Sequence, residues 1–270
     1  MQEWFNWRSW KDRVSKGTVC SNPTPSASQF HMEKENISII NIRDIKNKRL
    51  AKIIPEFYEL RDVIENNPWH NQEPVFNHTL SVLDNLEKVI HNSSKDIKRA
   101  LTEVVDKNSR NDLLYVAALF HDIGKKETIT DLGNGVRGCP GHERKGTGKA
   151  EKILKRFDLS KREFKIITGI VRNHGVIHDI IGLGCKDFRK SVGKERSLTH
   201  VVTGLENKNF QTEYKSFKKE FSNISYYLEL ILLAFADTVG SYLEKTKPAE
   251  FRHRVNFYKK ELKSLSSKKK

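Results

Sequence analysis

Cysteine is scarce in this chain: three in 270 residues, Cys20, Cys139 and Cys185, odd in number and far apart. Such a set is no disulfide framework and fits reduced thiols in a cytoplasmic setting. No apolar run approaches the roughly 20 residues that span a bilayer, so no membrane partner is expected. The N-terminus lacks a secretory h-region, so export is not indicated. Walker-type phosphate loops and a Gly-x-Ser-x-Gly elbow are missing as well, which sets aside P-loop nucleotide hydrolases and elbow-type serine hydrolases. Convincing period-two alternation is also missing, and helical patterns alternate with loops at 66–74, 125–141 and 182–209. The predicted fold class is therefore all-α.

Acidic residues are the minority, 34 against 49 basic ones, and the formal net charge is +15. That balance favours polyanionic partners, with a phosphate-bearing substrate as the economical reading. The chain is long enough to bury a sizeable core beneath a surface kept polar by 31% charged residues.

What is present is a set of polar residues where a helix normally carries apolar ones. His78 continues the line Val82, Leu86 and Val89. His142 lies over Gly146, Ala150, Ile153 and Phe157. His174 follows Ile167, Ile170 and Val171, and Asp237 follows Leu230, Leu233 and Ala234. Between them, the apolar segment from Leu113 to Phe120 ends in His121-Asp122, then Ile123, a helix-breaking Gly124 and Lys125. Neighbours on a helix point about 100° apart, so His121 and Asp122 can both reach one ion at its end. Burying Asp237 without a partner is costly, and a bound cation removes that cost. His78, His121, Asp122, His142, His174 and Asp237 are thus the candidate metal ligands, a mixed N/O set suited to Fe, Mn, Co, Ni, Zn or Mg. Gly146 and Gly240 are expected to let helices approach closely beside them. His70 and His178 read as pocket-lining; His31, His91, His200 and His253 read as ordinary surface or core residues. Cys139, three residues before His142, reads as a small loop residue.

The order of these residues resembles the HD-domain phosphohydrolases, whose signature is a His, a His-Asp pair and a later Asp. The segments Asn66 to Thr79, Phe120 to Lys125, Gly141-His142-Glu143 and Val171 to His174 are similar to the HD domain attached to bacterial CCA-adding tRNA nucleotidyltransferases, over roughly residues 50–262. The glycine-rich turn and paired acids of a nucleotidyltransferase head are lacking, so nucleotide addition is not expected. The resemblance implies an HD-domain helical bundle holding one or two divalent metal ions. It implies that His78, His121, Asp122 and Asp237 hold one ion, and that Asp122 bridges to a second held by His142 and His174.

Cations of this kind lower the pKa of bound water from about 15.7 towards 7, so a metal-bound hydroxide at Asp122 is the expected nucleophile on phosphorus. Lys125 either stabilises the transition state or is simply a helix C-terminal charge. Glu143 either orients a ligand or favours a helix N-terminus. Lys126, Arg144, Lys145, Lys149 and Arg172 flank the ligand segments as candidate substrate-binding residues, and Lys186, Arg189, Lys190, Lys194 and Arg196 add a second basic group. The expected substrate is a phosphomonoester or cyclic phosphodiester of a nucleotide or RNA end. Two other readings stay open: a nucleoside-triphosphate or signalling-nucleotide hydrolase, and a non-catalytic RNA-binding or scaffold protein with a structural metal.

By texture the chain divides in three. Residues 1–35 form a flexible arm in which Trp4, Trp7, Trp10 and Val14 make one helical stripe before a Ser/Pro/Asn-rich linker, residues 15–28. Residues 36–262 form the domain, and 263–270 a lysine-rich tail.

Overall fold

The computed structural model describes residues 34–182, 187–192, 195–200, 208–221 and 224–267, with backbone alone for 187–192 and 195–200. The Trp-bearing arm, Cys20, His31, Cys185, Lys186, Lys194, the final lysines and the side chains of Arg189, Lys190, Arg196 and His200 lie outside the described set.

Two short α-helices, Ile42–Lys46 and Pro55–Tyr58, lie in the opening segment, and nine further described helices follow: α1 Val75–His91, α2 Lys95–Thr102, α3 Arg110–Phe120, α4 His142–Leu154, α5 Lys161–Gly182, α6 Lys208–Phe221, α7 Tyr227–Gly240, α8 Leu243–Thr246 and α9 Pro248–Ser267. The fold is all-α. No described helix is long and apolar enough to cross a membrane.

The bundle is organised around α7, whose sequence YLELILLAFADTVG is apolar on every side and buried almost throughout. A helix of that composition has to be central. It packs against α1, α5 and α9, and α3 packs against α5 and α1. The close α1–α7 approach depends on Gly240, where a Cβ would stand 3.2 Å from the Val82 nitrogen. Ser81 Oγ then donates to the Gly240 carbonyl at 3.0 Å. On α1 the expected face is the buried one: His78, Thr79, Val82, Leu86 and Val89 all turn inward.

Among the described residues, strands occur as three antiparallel pairs. β1 (Ile64–Glu65) pairs with β2 (Glu73–Pro74), and β3 (Thr130–Asp131) with β4 (Arg137–Gly138), within or beside the segments expected as loops. The third pair corrects the sequence reading. Residues 182–209, expected to carry no strand, include β5 (Asp187–Val192) and β6 (Glu195–His200), registered from Asp187 opposite His200 to Val192 opposite Glu195. Only Phe188, Val192 and Leu198 are apolar there, too few for a period-two signal, whereas ladder hydrogen bonds need only backbone.

Candidate metal centre

Each candidate ligand is delivered by a different end or face of the bundle. His78 comes from the first turn of α1, and His121 and Asp122 from the C-terminal end of α3. His142 opens α4, His174 sits in α5 and Asp237 near the end of α7. Helix α3 is started by a capping box between Ser109 and Asp112, and His121 takes its C-cap position. Gly141 precedes α4 with a left-handed φ of 73°, a conformation that favours glycine. The two ends meet because Gly124 lies against Gly146: a Cβ on Gly124 would clash with the backbone of α4.

All six residues are brought together. His78 Nε2 stands 2.9 Å from Asp237 Oδ1, and His121 Nε2 3.2 Å from Asp122 Oδ2. His142 Nε2 lies 3.3 Å from Asp122 Oδ1 and 3.1 Å from His174 Nε2. Donor atoms of His78, His121 and Asp237 form one compact trio, and those of Asp122, His142 and His174 a second. The Asp122 carboxylate spans the two, Oδ2 towards the first and Oδ1 towards the second.

The hydrogen bonds decide which ring nitrogens are free. His121, His142 and His174 each donate from Nδ1 to a backbone carbonyl three residues earlier, Ala118 at 2.7 Å, Cys139 at 2.8 Å and Val171 at 2.8 Å. A carbonyl only accepts, so Nδ1 carries the hydrogen and a neutral ring presents a bare Nε2 lone pair to the cluster. Two such lone pairs 3.1 Å apart, those of His142 and His174, repel unless a proton or a metal ion lies between them. Burial and the adjacent His142 pull His174 down to about 3, which keeps it neutral. Around the other trio, His78 Nε2 faces Asp237 Oδ1 and His121 Nε2 faces Asp122 Oδ2 in close but poorly aligned contacts, while His78 Nδ1 turns to Glu73 Oε2 at 3.8 Å. A divalent cation would take His78 Nε2, His121 Nε2, Asp122 Oδ2 and Asp237 Oδ1 together.

Charge is arranged to keep the acids ionised. Burial opposes the charge on Asp122, but His121 and Lys125 outweigh it and hold the carboxyl well below its usual range. For Asp237, His178 and His78 likewise outweigh burial. His178 Nε2 lies 3.0 Å from Asp237 Oδ2, while its Nδ1 is bonded to Tyr258 Oη at 3.1 Å. His178 thus reaches the centre through Asp237.

Lys125 is neither an exposed helix-end charge nor a free cation. It is 4% exposed, with Nζ 2.5 Å from Glu65 Oε2, 2.8 Å from Asp122 Oδ2 and 3.2 Å from His70 Nε2. Burial opposes its charge, yet Asp122 and Glu65 more than compensate and raise its pKa. Sequence reasoning missed Glu65 and Glu73. The signal for Glu65 was available: in extended backbone it shares a face with the buried Val63. Glu73, His70 and His78 form a further ligand-like trio sharing His78. Glu143 Oε2 stands 3.7 Å from His142 Nδ1. Cys139 is buried, and its thiol donates to the Lys125 carbonyl rather than joining either trio.

Two of the described candidate substrate-binding cations are held by acidic partners outside the ligand set. Lys126 pairs with Glu59 at 3.0 Å and Lys149 with Glu127 at 2.8 Å, both solvated ion pairs. Arg144 and Lys145 are exposed on the first turn of α4, and Arg172 is half-buried on α5.

Comparison with known proteins agrees with this geometry. The HD-domain model matches residues 75–216. The bifunctional uridylyltransferase/uridylyl-removing enzyme of Azotobacter vinelandii is 28% identical over 125 residues, 46% of this chain and 13% of that protein. The enzymes so named from Stutzerimonas stutzeri and Acinetobacter baumannii are 27% identical over 159 residues and 25% over 165. These two matches take in 56% and 57% of this chain but only 16% and 17% of the relatives, so the chain spans under a fifth of their length. The family match covers the His, the His-Asp pair and both later histidines, and on it the chain belongs to the HD-domain family of metal-dependent phosphohydrolases.

Proposed function

We propose that this chain hydrolyses a phosphomonoester or cyclic phosphodiester of a nucleotide or RNA end, using two divalent ions. His78, His121 and Asp237, with Asp122, would hold one; Asp122, His142 and His174 would hold the other. The observation that carries this reading is the pair of Nε2 atoms of His142 and His174, 3.1 Å apart beside Asp122 Oδ1. Bound divalent ions supply a lowered pKa for water and neutralise charge on a phosphoryl group. Asp122 orients the centre through both carboxylate oxygens, and Lys125 contributes a fixed positive charge beside Asp122 for the charge that develops on phosphate. Glu143, against the backbone-bonded side of the His142 ring, helps fix its orientation. Arg144 and Lys145 are the exposed cations nearest in sequence to His142 and are assigned to substrate capture.

The nucleotide half of the proposal draws support from the relatives' name, since a uridylyl group is a nucleotide joined through phosphate. The resemblance to the HD domain of CCA-adding enzymes points to an RNA end. Three cysteines, odd in number and far apart in the sequence, support a cytoplasmic location. We assign residues 1–35 to an arm, 36–262 to the catalytic domain and 263–270 to a tail.

A substrate panel tests the reading. Protein stripped by chelation is reloaded with Fe, Mn, Co, Ni, Zn or Mg and offered 3′-phosphorylated and 2′,3′-cyclic oligonucleotides, nucleoside monophosphates, a uridylylated peptide and nucleoside triphosphates. Turnover restricted to phosphate ends of nucleotides or RNA is the expected result. Turnover of triphosphates alone would replace it with the triphosphatase reading. Absence of turnover with every metal, together with unfolding on chelation, would make the metal a structural pin.

A further inference from the structure

We infer that Glu65 is a positioning residue for the metal centre: it shares the Lys125 ammonium with Asp122, so that the lysine competes less with an ion for Asp122 Oδ2. The inference rests on the metal-binding reading above and concerns a residue outside the ligand set.

Lys125 Nζ lies 2.8 Å from Asp122 Oδ2, within ion-pair range. The same ammonium is bonded to Glu65 Oε2 at 2.5 Å and His70 Nε2 at 3.2 Å, so its charge is divided between the two carboxylates. That division follows from the fold. Glu65 is delivered by β1, which β2 and the Asn66–Arg137 bridge hold in place, and is only 3% exposed. Asn67 Nδ2 donates to its other oxygen at 3.5 Å.

Charge gives the same conclusion. An ammonium 2.8 Å from a carboxylate competes with any divalent ion for the same oxygen, and in a buried setting the competition is weakly screened. Glu65 balances the lysine charge and supplies the better-aligned acceptor. Without its carboxylate, Lys125 keeps its positive charge and has only Asp122 as a carboxylate partner. The expected consequence is a loss of metal affinity caused by the lysine rather than by the missing glutamate.

A double-mutant cycle with Mn²⁺ as the probe separates these causes, titrated by calorimetry with the free ion counted by electron paramagnetic resonance. Glu65→Gln, nearly isosteric, should bind Mn²⁺ about 10–100-fold more weakly than the wild type, the usual range for an outer-shell partner. Lys125→Met should bind no more weakly than the wild type, and Glu65→Gln/Lys125→Met should return to within about threefold of it, because coupled residues are non-additive. Circular dichroism checks folding throughout. If Lys125→Met fails to fold around a lone buried Glu65, the neutral double variant still carries the comparison. Wild-type affinity in Glu65→Gln would overturn the proposal, as would a double variant as weak as Glu65→Gln alone. Failure of the wild type to bind Mn²⁺ would overturn the metal reading and this proposal together.

Discussion

Two buried carboxylates in this bundle, Glu163 and Asp122, have opposite surroundings. Glu163, with no exposed surface, accepts from Lys107 N at 2.8 Å, Asn108 N at 2.7 Å, Asn108 Nδ2 at 3.0 Å and Ser160 N at 2.9 Å. Its own N–H is bonded to Ser160 Oγ, which completes a capping box at the start of α5. Asp122, also buried, has no backbone donor on Oδ2, which faces the His78 and His121 imidazoles and the Lys125 ammonium in close but poorly aligned contacts. A carboxylate that only braces a fold has its acceptors filled by fixed N–H donors. One kept open within a rigid shell is available for a ligand. The difference separates architecture from function where burial alone does not.

The comparison breaks most visibly at Asp122. Asp122→Ala removes the side chain that faces both trios, so turnover should be abolished and metal content reduced more than in His174→Ala, as read by elemental analysis of purified protein. A variant with normal activity and no metal would end the account. Next in size is the double variant His142→Ala/His174→Ala. It should keep about one metal equivalent per chain through the other trio and lose most activity; two retained equivalents would show that these histidines are not ligands.

On the architectural side the effect moves from chemistry to stability. Glu163→Gln should leave metal content unchanged and cost roughly 1.5–3 kcal/mol in denaturant unfolding, the range for hydrogen bonds to a charged acceptor. The pH dependence has a definite sign. Burial opposes the charge on Glu163, but the N–H donors of Ser160, Lys107 and Asn108 outweigh it and lower its pKa from 4.5. Its stabilisation is therefore full above about pH 4.5 and fades as pH falls through the lowered folded value. The gap in stability between the wild type and Glu163→Gln should narrow over that acid range; a gap that widens there would contradict the assignment. The smallest effect belongs to the second basic group. Replacing Lys186, Arg189, Lys190, Lys194 and Arg196 by Ser should raise KM for a phosphate-ended oligonucleotide and flatten its salt dependence, with a small phosphoester hydrolysed as before. Equal loss on both substrates would point to damage at the metal centre.

Much of the centre was legible because its residues break a pattern. His78, His174 and Asp237 interrupt apolar stripes whose period fixes the direction they face, and the stripes themselves are enough to specify a helical bundle. Glycine carried information too, since the Gly146 and Gly240 positions are places where backbones touch. Less legible were residues on irregular backbone. Glu65 and Glu73 lie in two-residue strands whose periodic signal is no more than the Val63–Glu65 spacing, and the Glu65–Lys125 contact joins positions 60 apart in sequence. The flanking cations misled for a related reason. Proximity in sequence to a ligand says little about direction, and Lys126 and Lys149 turn out to Glu59 and Glu127.

The most direct test of the central claim is anomalous diffraction from crystals of the protein soaked in Mn²⁺. The account predicts two peaks, one among His78, His121, Asp122 and Asp237 and one among Asp122, His142 and His174, with Asp122 contacting both. Crystals that keep full phosphohydrolase activity while showing no peak at either position would contradict it.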